Sequence, residues 1–135
     1  VLIDTEVLYH IWRNDPPLHR FAHTYVAGVA LGVVAGVVMY TLVRAIAAGI
    51  PGRWKWREHL AAQASGRMFA QSLAAGVIGG VSHIFLDSLL YHEMNPYWPV
   101  ADGNDMAGLV DSGRLYIACA AAGFFGLGFW LFLRD

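Results

Sequence analysis

The chain reads as an all-α integral membrane protein, a small helical bundle of about three transmembrane helices. Three observations predict this class. Hydrophobic residues make up 57% of the 135 positions and charged residues only 14%, outside the usual balance of soluble domains. Three apolar segments, about 22–43, 68–91 and 115–133, reach the roughly 20 residues needed to cross a hydrocarbon core at about 1.5 Å per residue. Glycines also recur at four-residue spacing, Gly28, Gly32 and Gly36 in the first segment and Gly76 and Gly80 in the second, as on helices that pack closely in lipid. Residues 1–135 are therefore read as one transmembrane helical domain.

Residues 1–21 approach the first span from outside and carry Pro16 and Pro17, which end any helix before it. The chain opens at Val1, without Met, inside an apolar stretch. That opening predicts a natural start further upstream, with either a signal peptide or an earlier helix, of which this outer segment is the end, before Val1. The first span, AHTYVAGVALGVVAGVVMYTLV, has no charge before Arg44. Arg44, Arg53, Lys55, Arg57 and Arg67 then make the 44–67 connection basic, and Trp54 and Trp56 among these cations mark an interfacial stretch. The second span contains His83 and Asp87, costly side chains for hydrocarbon. The 92–113 connection is acidic, with Glu93, Asp102, Asp105 and Asp111 against Arg114, and Tyr91, Tyr97 and Trp98 beside it are placed as interfacial anchors. The third span, LYIACAAAGFFGLGFWLFL, holds the single Cys119, which has no partner for an internal disulfide.

Because short cytoplasmic loops carry the Lys/Arg excess, the 44–67 loop is expected in the cytoplasm and the 92–113 loop outside, in a bacterial inner membrane. A net charge of -1 gives no electrostatic footprint for a nucleic acid. The partners expected instead are membrane lipid and membrane-protein neighbours bound through the Gly and Ala helix faces.

This topology sorts the ionisable groups. Of six histidines only His59 falls inside; the others gather at the outer face with Asp4, Glu6, Asp87 and Glu93. His83 and Asp87 are four apart, so they share a helix face, and it is the face bearing Gly76 and Gly80. The pair therefore points at another helix. His19 and His23 share a face if that segment is helical, and Asp4 and Glu6 complete a set of nitrogen and oxygen donors. Imidazole with carboxylate suits Zn²⁺ first, with Mn²⁺ or Mg²⁺ as alternatives. The competing reading of the same residues is interhelical glue, in which Asp87 pairs with a histidine or with Arg20.

The motifs IDTE (3–6), HRFAHT (19–24) and SHIFLDSL (82–89), with YWP at 97–99, resemble the YdjM-type family of membrane-bound, predicted metal-dependent hydrolases, which is distantly similar to the zinc-dependent phospholipase C and P1 nuclease group. The resemblance implies that Asp4 and Glu6 are carboxylate ligands, His19 and His23 imidazole ligands, and His83 with Asp87 the pair that completes the site. The chain departs from the family pattern at Glu6, where Asp is usual, and in the closer spacing of His19 and His23.

The expected activity is metal-assisted hydrolysis of a phosphoester in a lipid or lipid-linked substrate at the outer membrane face. In this reading Asp4 or Glu6 takes the proton from water, and Arg20 and Arg114 hold an anionic headgroup. The rival is a non-catalytic integral-membrane subunit of a larger complex that keeps the scaffold.

Overall fold

A computed structural model of the chain describes residues 2–49 and 66–134. Among the described residues there are four α-helices and no strand: α1 (Thr5–Arg13), α2 (Tyr25–Gly49), α3 (Gly66–Ser88) and α4 (Ser112–Arg134), with a 3₁₀ turn at Phe21–His23 between α1 and α2. Three helices, Tyr25–Gly49, Gly66–Ser88 and Ser112–Leu133, are long and apolar enough to cross a membrane. They mark a multi-pass membrane protein.

The boundaries shift from the sequence reading for local reasons. Nothing after Val43 stops the first helix, so it runs on to Gly49; Arg44 stays helical and lies over the Tyr40 ring, 5.8 Å from its centroid. The second helix ends at Ser88 rather than 91 because the Asn104 side-chain amide takes the carbonyls of Ser88 and Tyr91, both at 2.8 Å. Those groups would otherwise continue the helical ladder. The interfacial basic stretch around Trp54 and Trp56 falls outside the described residues.

At the N-terminal side, α1 ends at Asn14, which adopts the left-handed conformation (φ 51°) that asparagine tolerates well. Residues 14–20 then turn the chain back. Arg20 clamps this turn, its guanidinium donating to the carbonyls of Asp15, Pro16 and Pro17 at 2.9–3.1 Å and pairing with the Asp15 carboxylate at 3.0 Å. Thr24 starts α2 as a helix cap: its Oγ1 accepts the Ala27 amide at 3.1 Å. The Tyr25 amide bonds to the Pro96 carbonyl at 2.9 Å, so the loop after α3 closes over the start of α2.

The glycines decide how α2 and α3 meet. The helices run antiparallel with Gly28 opposite Gly80, Gly32 opposite Gly76 and Gly36 opposite Ser72. A Cβ at Gly32 or Gly80 would run into the facing carbonyl oxygen, and one at Gly36 would come within 2.6 Å of the Ser72 carbonyl. Only glycine lets the backbones approach this closely, which is how helix pairs associate where lipid offers no hydrophobic driving force. At the outer end, Ile3, Ile84 and Met94 form a small core, with Ala22, Tyr25, Leu31 and Tyr91 against it. In contrast, α4 stands away from this pair. Leu115 is its one buried residue among those described, and a Cβ at Gly123, Gly126 or Gly128 would meet nothing within 4 Å.

Candidate metal centre

The packing register carries the site. Because Gly80 lies against Gly28, the next two turns of α3 lie against the 3₁₀ turn that precedes α2, and His83 and Asp87 meet His23. Asp4, at the start of α1, closes the group from the other side. One ligand atom from each of Asp4, His23, His83 and Asp87 lies within 4.8 Å of all the others. This is a cluster with the geometry to hold a metal ion.

The donor atoms lie at short range from one another. His23 is fully buried, and its Nε2 lies 3.7 Å from Asp87 Oδ2; His83 Nε2 lies 3.0 Å from Asp4 Oδ1 and 3.2 Å from Asp87 Oδ2. These separations suit ion pairs, yet neither buried Nε2 makes a hydrogen bond to any described residue. Buried polar atoms are almost always satisfied, so each orphan calls for an explanation. A shared cation would supply one for both nitrogens. Asp4 occupies the N-cap of α1 but makes no side-chain cap bond there. Its carboxylate is turned to His83 instead.

Behind the cluster, Glu6 fixes the orientation of His23. Its Oε2 accepts the His23 Nδ1 proton at 3.0 Å and the Arg20 amide at 3.0 Å, and its Oε1 accepts the Ala22 amide at 3.1 Å. A carboxylate can only accept, so His23 Nδ1 carries the proton and Nε2 presents its lone pair to the site. This is the carboxylate–histidine support common behind metal-bound imidazoles. Burial resists ionisation of Glu6, but the His23 and backbone hydrogen bonds outweigh it and hold the carboxyl below its ordinary range.

The residues expected at the site thus fall into groups. Asp4, His23, His83 and Asp87 converge. Glu6 sits behind His23 with its oxygens taken by three N–H groups. His19 is turned aside: its Nδ1 donates to Glu93 Oε1 at 2.9 Å, and its ring stacks on Tyr91 with centroids 3.9 Å apart. His19 touches the site only through its edge, against the His23 ring at 4.6 Å. The Arg20 guanidinium is spent on the 15–17 turn, and Arg114 opens α4, its amide bonded to Asp111. Sequence reasoning left out the supporting role of Glu93. Its spacing from His19 gives no sign of contact, and the signal that was available is its place directly after a helix end that also bears the outer aromatics.

No protein-family model, curated protein or solved structure matches the chain. Its class therefore rests on its own fold and site: a multi-pass helical membrane protein with a cluster of two imidazoles and two carboxylates able to hold a metal ion.

Proposed function

We propose that the protein is a membrane-embedded, metal-dependent hydrolase acting on a phosphoester in a lipid or lipid-linked substrate at the outer face of a bacterial inner membrane. The observation that carries this reading is the pair of buried imidazole nitrogens, His23 Nε2 and His83 Nε2, turned toward the same two carboxylates without a hydrogen-bond partner among the described residues. Two nitrogen and two oxygen donors suit Zn²⁺, with Mn²⁺ or Mg²⁺ as weaker fits.

A bound divalent ion would supply a water of lowered pKa and polarise a phosphoryl oxygen. The chain's residues do the rest. His23 and His83 offer neutral nitrogen donors, and Asp4 and Asp87 balance positive charge. Glu6 keeps the His23 proton on Nδ1. Asp4 has the most exposed side chain of the four ligands, 43% against 17% for Asp87, and is the carboxylate placed to take a proton from water. Glu6, considered beside Asp4 for that task, has its lone pairs directed at three N–H donors and serves in positioning. The resemblance of the three motifs to the YdjM-type hydrolases supports the same assignment, as does the excess of Lys and Arg in the 44–67 connection for the orientation.

The test is metal content of the detergent-purified protein together with hydrolysis of 4-nitrophenyl phosphate and of a phospholipid in mixed micelles. One metal per chain is expected, absent in His23→Ala, His83→Ala and Asp87→Ala, with hydrolysis lost to a chelator and restored by zinc. A metal-free wild-type protein overturns the reading. The subunit reading finds support in α4, an apolar helix on which a Cβ at Gly123, Gly126 or Gly128 would meet nothing within 4 Å among the described residues; it requires a partner complex that co-purifies at fixed stoichiometry.

A further inference from the structure

Not all the small residues of α2 and α3 are explained by helix contact. Gly76 and Gly80 face α2, but Gly79 does not: a Cβ there would meet nothing within 4 Å among the described residues. Glycine in a helix interior costs about 1 kcal/mol relative to alanine, and here packing returns nothing for it. Ala75, Gly79 and His83 follow one another at four-residue spacing and so share a face of α3. Leu31 and Ala35 form the matching edge on α2. Between them lies a groove of about 300 Å³, walled mainly by apolar surface, with His83, Leu2 and Ile3 at its outer end.

We infer that this groove holds one hydrocarbon chain of the substrate, with the phosphoester at the outer end beside His83. The inference rests on the hydrolase reading and extends it to how the substrate is seated. Three features carry it. First, the groove lies along membrane-crossing stretches of both helices, where the surrounding solvent is itself hydrocarbon. Second, its length fits: from His83 to Ala75 is eight residues, roughly 12 Å of helix, against a leaflet depth of about 15 Å, half of the ~30 Å hydrocarbon core. Third, the groove is continuous with the polar cluster through one residue, since His83 lines the groove and also contributes its Nε2 to the ligand group. A chain lying in the groove would present its headgroup to the only cluster of this kind among the described residues. The absence of bulk at Ala75 and Gly79 is the shape this requires.

The test uses a dodecyl phosphate probe bearing a diazirine near the chain end, photolysed with the detergent-purified protein, with labelled peptides mapped by mass spectrometry. Labelling concentrated at residues 31–35 and 75–79, competed by unlabelled dodecyl phosphate and reduced at least fivefold in Gly79→Leu, supports the inference. Gly79→Leu is chosen because its Cβ enters open space, so folding and zinc content should match the wild type. The lipid-facing helix α4 is the internal control. Labelling spread equally over α4 and the groove, or unchanged in Gly79→Leu, overturns the inference as ordinary lipid contact; labelling that avoids the groove overturns it in favour of a protein segment covering it. Labelling does not depend on turnover, so the two readings can fail separately. Concentrated labelling without hydrolysis sinks the enzyme, and hydrolysis with even labelling sinks the groove.

Discussion

Replacing Glu6 by glutamine changes one oxygen to an NH₂ group and leaves the shape almost intact, yet three N–H donors converge on that side chain at 3.0–3.1 Å. An amide accepts through one oxygen only. If the oxygen stays with the Ala22 amide, the NH₂ faces both the Arg20 amide and His23 Nδ1; if it flips, the NH₂ faces Ala22. Either arrangement sets N–H against N–H, a mismatch of about 1–3 kcal/mol for a buried group. In the first arrangement His23 relieves part of the mismatch by accepting at Nδ1, which moves its proton to Nε2 and directs it into the ligand cluster. Loss of such a supporting carboxylate typically costs 10–100-fold in metal affinity, or about 1.4–2.8 kcal/mol at 1.4 kcal/mol per factor of ten. Zinc affinity by chelator competition reads the effect, and nitrogen chemical shifts of selectively labelled histidine read the tautomer. Glu6→Gln protein that binds zinc as tightly as the wild type, with His23 still protonated at Nδ1, would refute the tautomer argument.

Three other outcomes are expected. His19→Gln should retain zinc at near wild-type affinity while His23→Gln loses it, since His19 Nδ1 is bonded to Glu93 and lies outside the cluster; equal losses would return His19 to the ligand set. The Glu93 carboxyl is pushed up by burial, but the His19 hydrogen bond, a backbone hydrogen bond and the His19 and His92 charges together hold it below its ordinary 4.5. Its contribution to stability is thus present above about pH 4.5 and lost as pH falls through the lowered native value. Solvent screening keeps that contribution small, and thermal unfolding of Glu93→Gln in detergent should differ from the wild type above that pH and converge with it below; parallel curves at all pH values would contradict this. Gly76→Leu drives a side chain into the Gly32 carbonyl and should lower stability by about 1–3 kcal/mol, the usual range for overpacking, with loss of zinc. Gly123→Leu on α4, where nothing lies within 4 Å, should change neither, and a matched loss in both variants would count against the α2–α3 contact.

The three spans and the glycine face of α3 were legible because each is written in a single segment: length, hydropathy and four-residue spacing need no knowledge of the rest of the chain. The convergence of His23, His83, Asp87 and Asp4 was legible for a related reason, since few places in a bilayer accept such groups. The division of labour between Asp4 and Glu6 was not. As acids two apart in an unassigned segment they looked equivalent, but α1 begins at Thr5, and residues two apart on a helix do not face one another. Once that helix start is known, the two acids must part, one toward His83 and the other behind His23. His19 and Glu93 escaped for the opposite reason: their contact spans 74 positions and depends on where the loop after α3 folds back. The end of α3 at Ser88 was hidden in the same way, because its cap, Asn104, is supplied from a distance.

A four-residue glycine repeat on both helices leaves the pairing of α2 and α3 degenerate. Sliding one along the other by four residues, about 6 Å, would still set Gly32 against Gly80 and Gly36 against Gly76. Those two close glycine approaches alone cannot distinguish these alignments. The outer end can, because only the observed one places Pro96 over the Tyr25 amide and His83 beside Asp4. The ligand cluster therefore selects the alignment that builds it, and an ion bound there would act on the membrane-spanning pair as a latch acts on a sliding bolt.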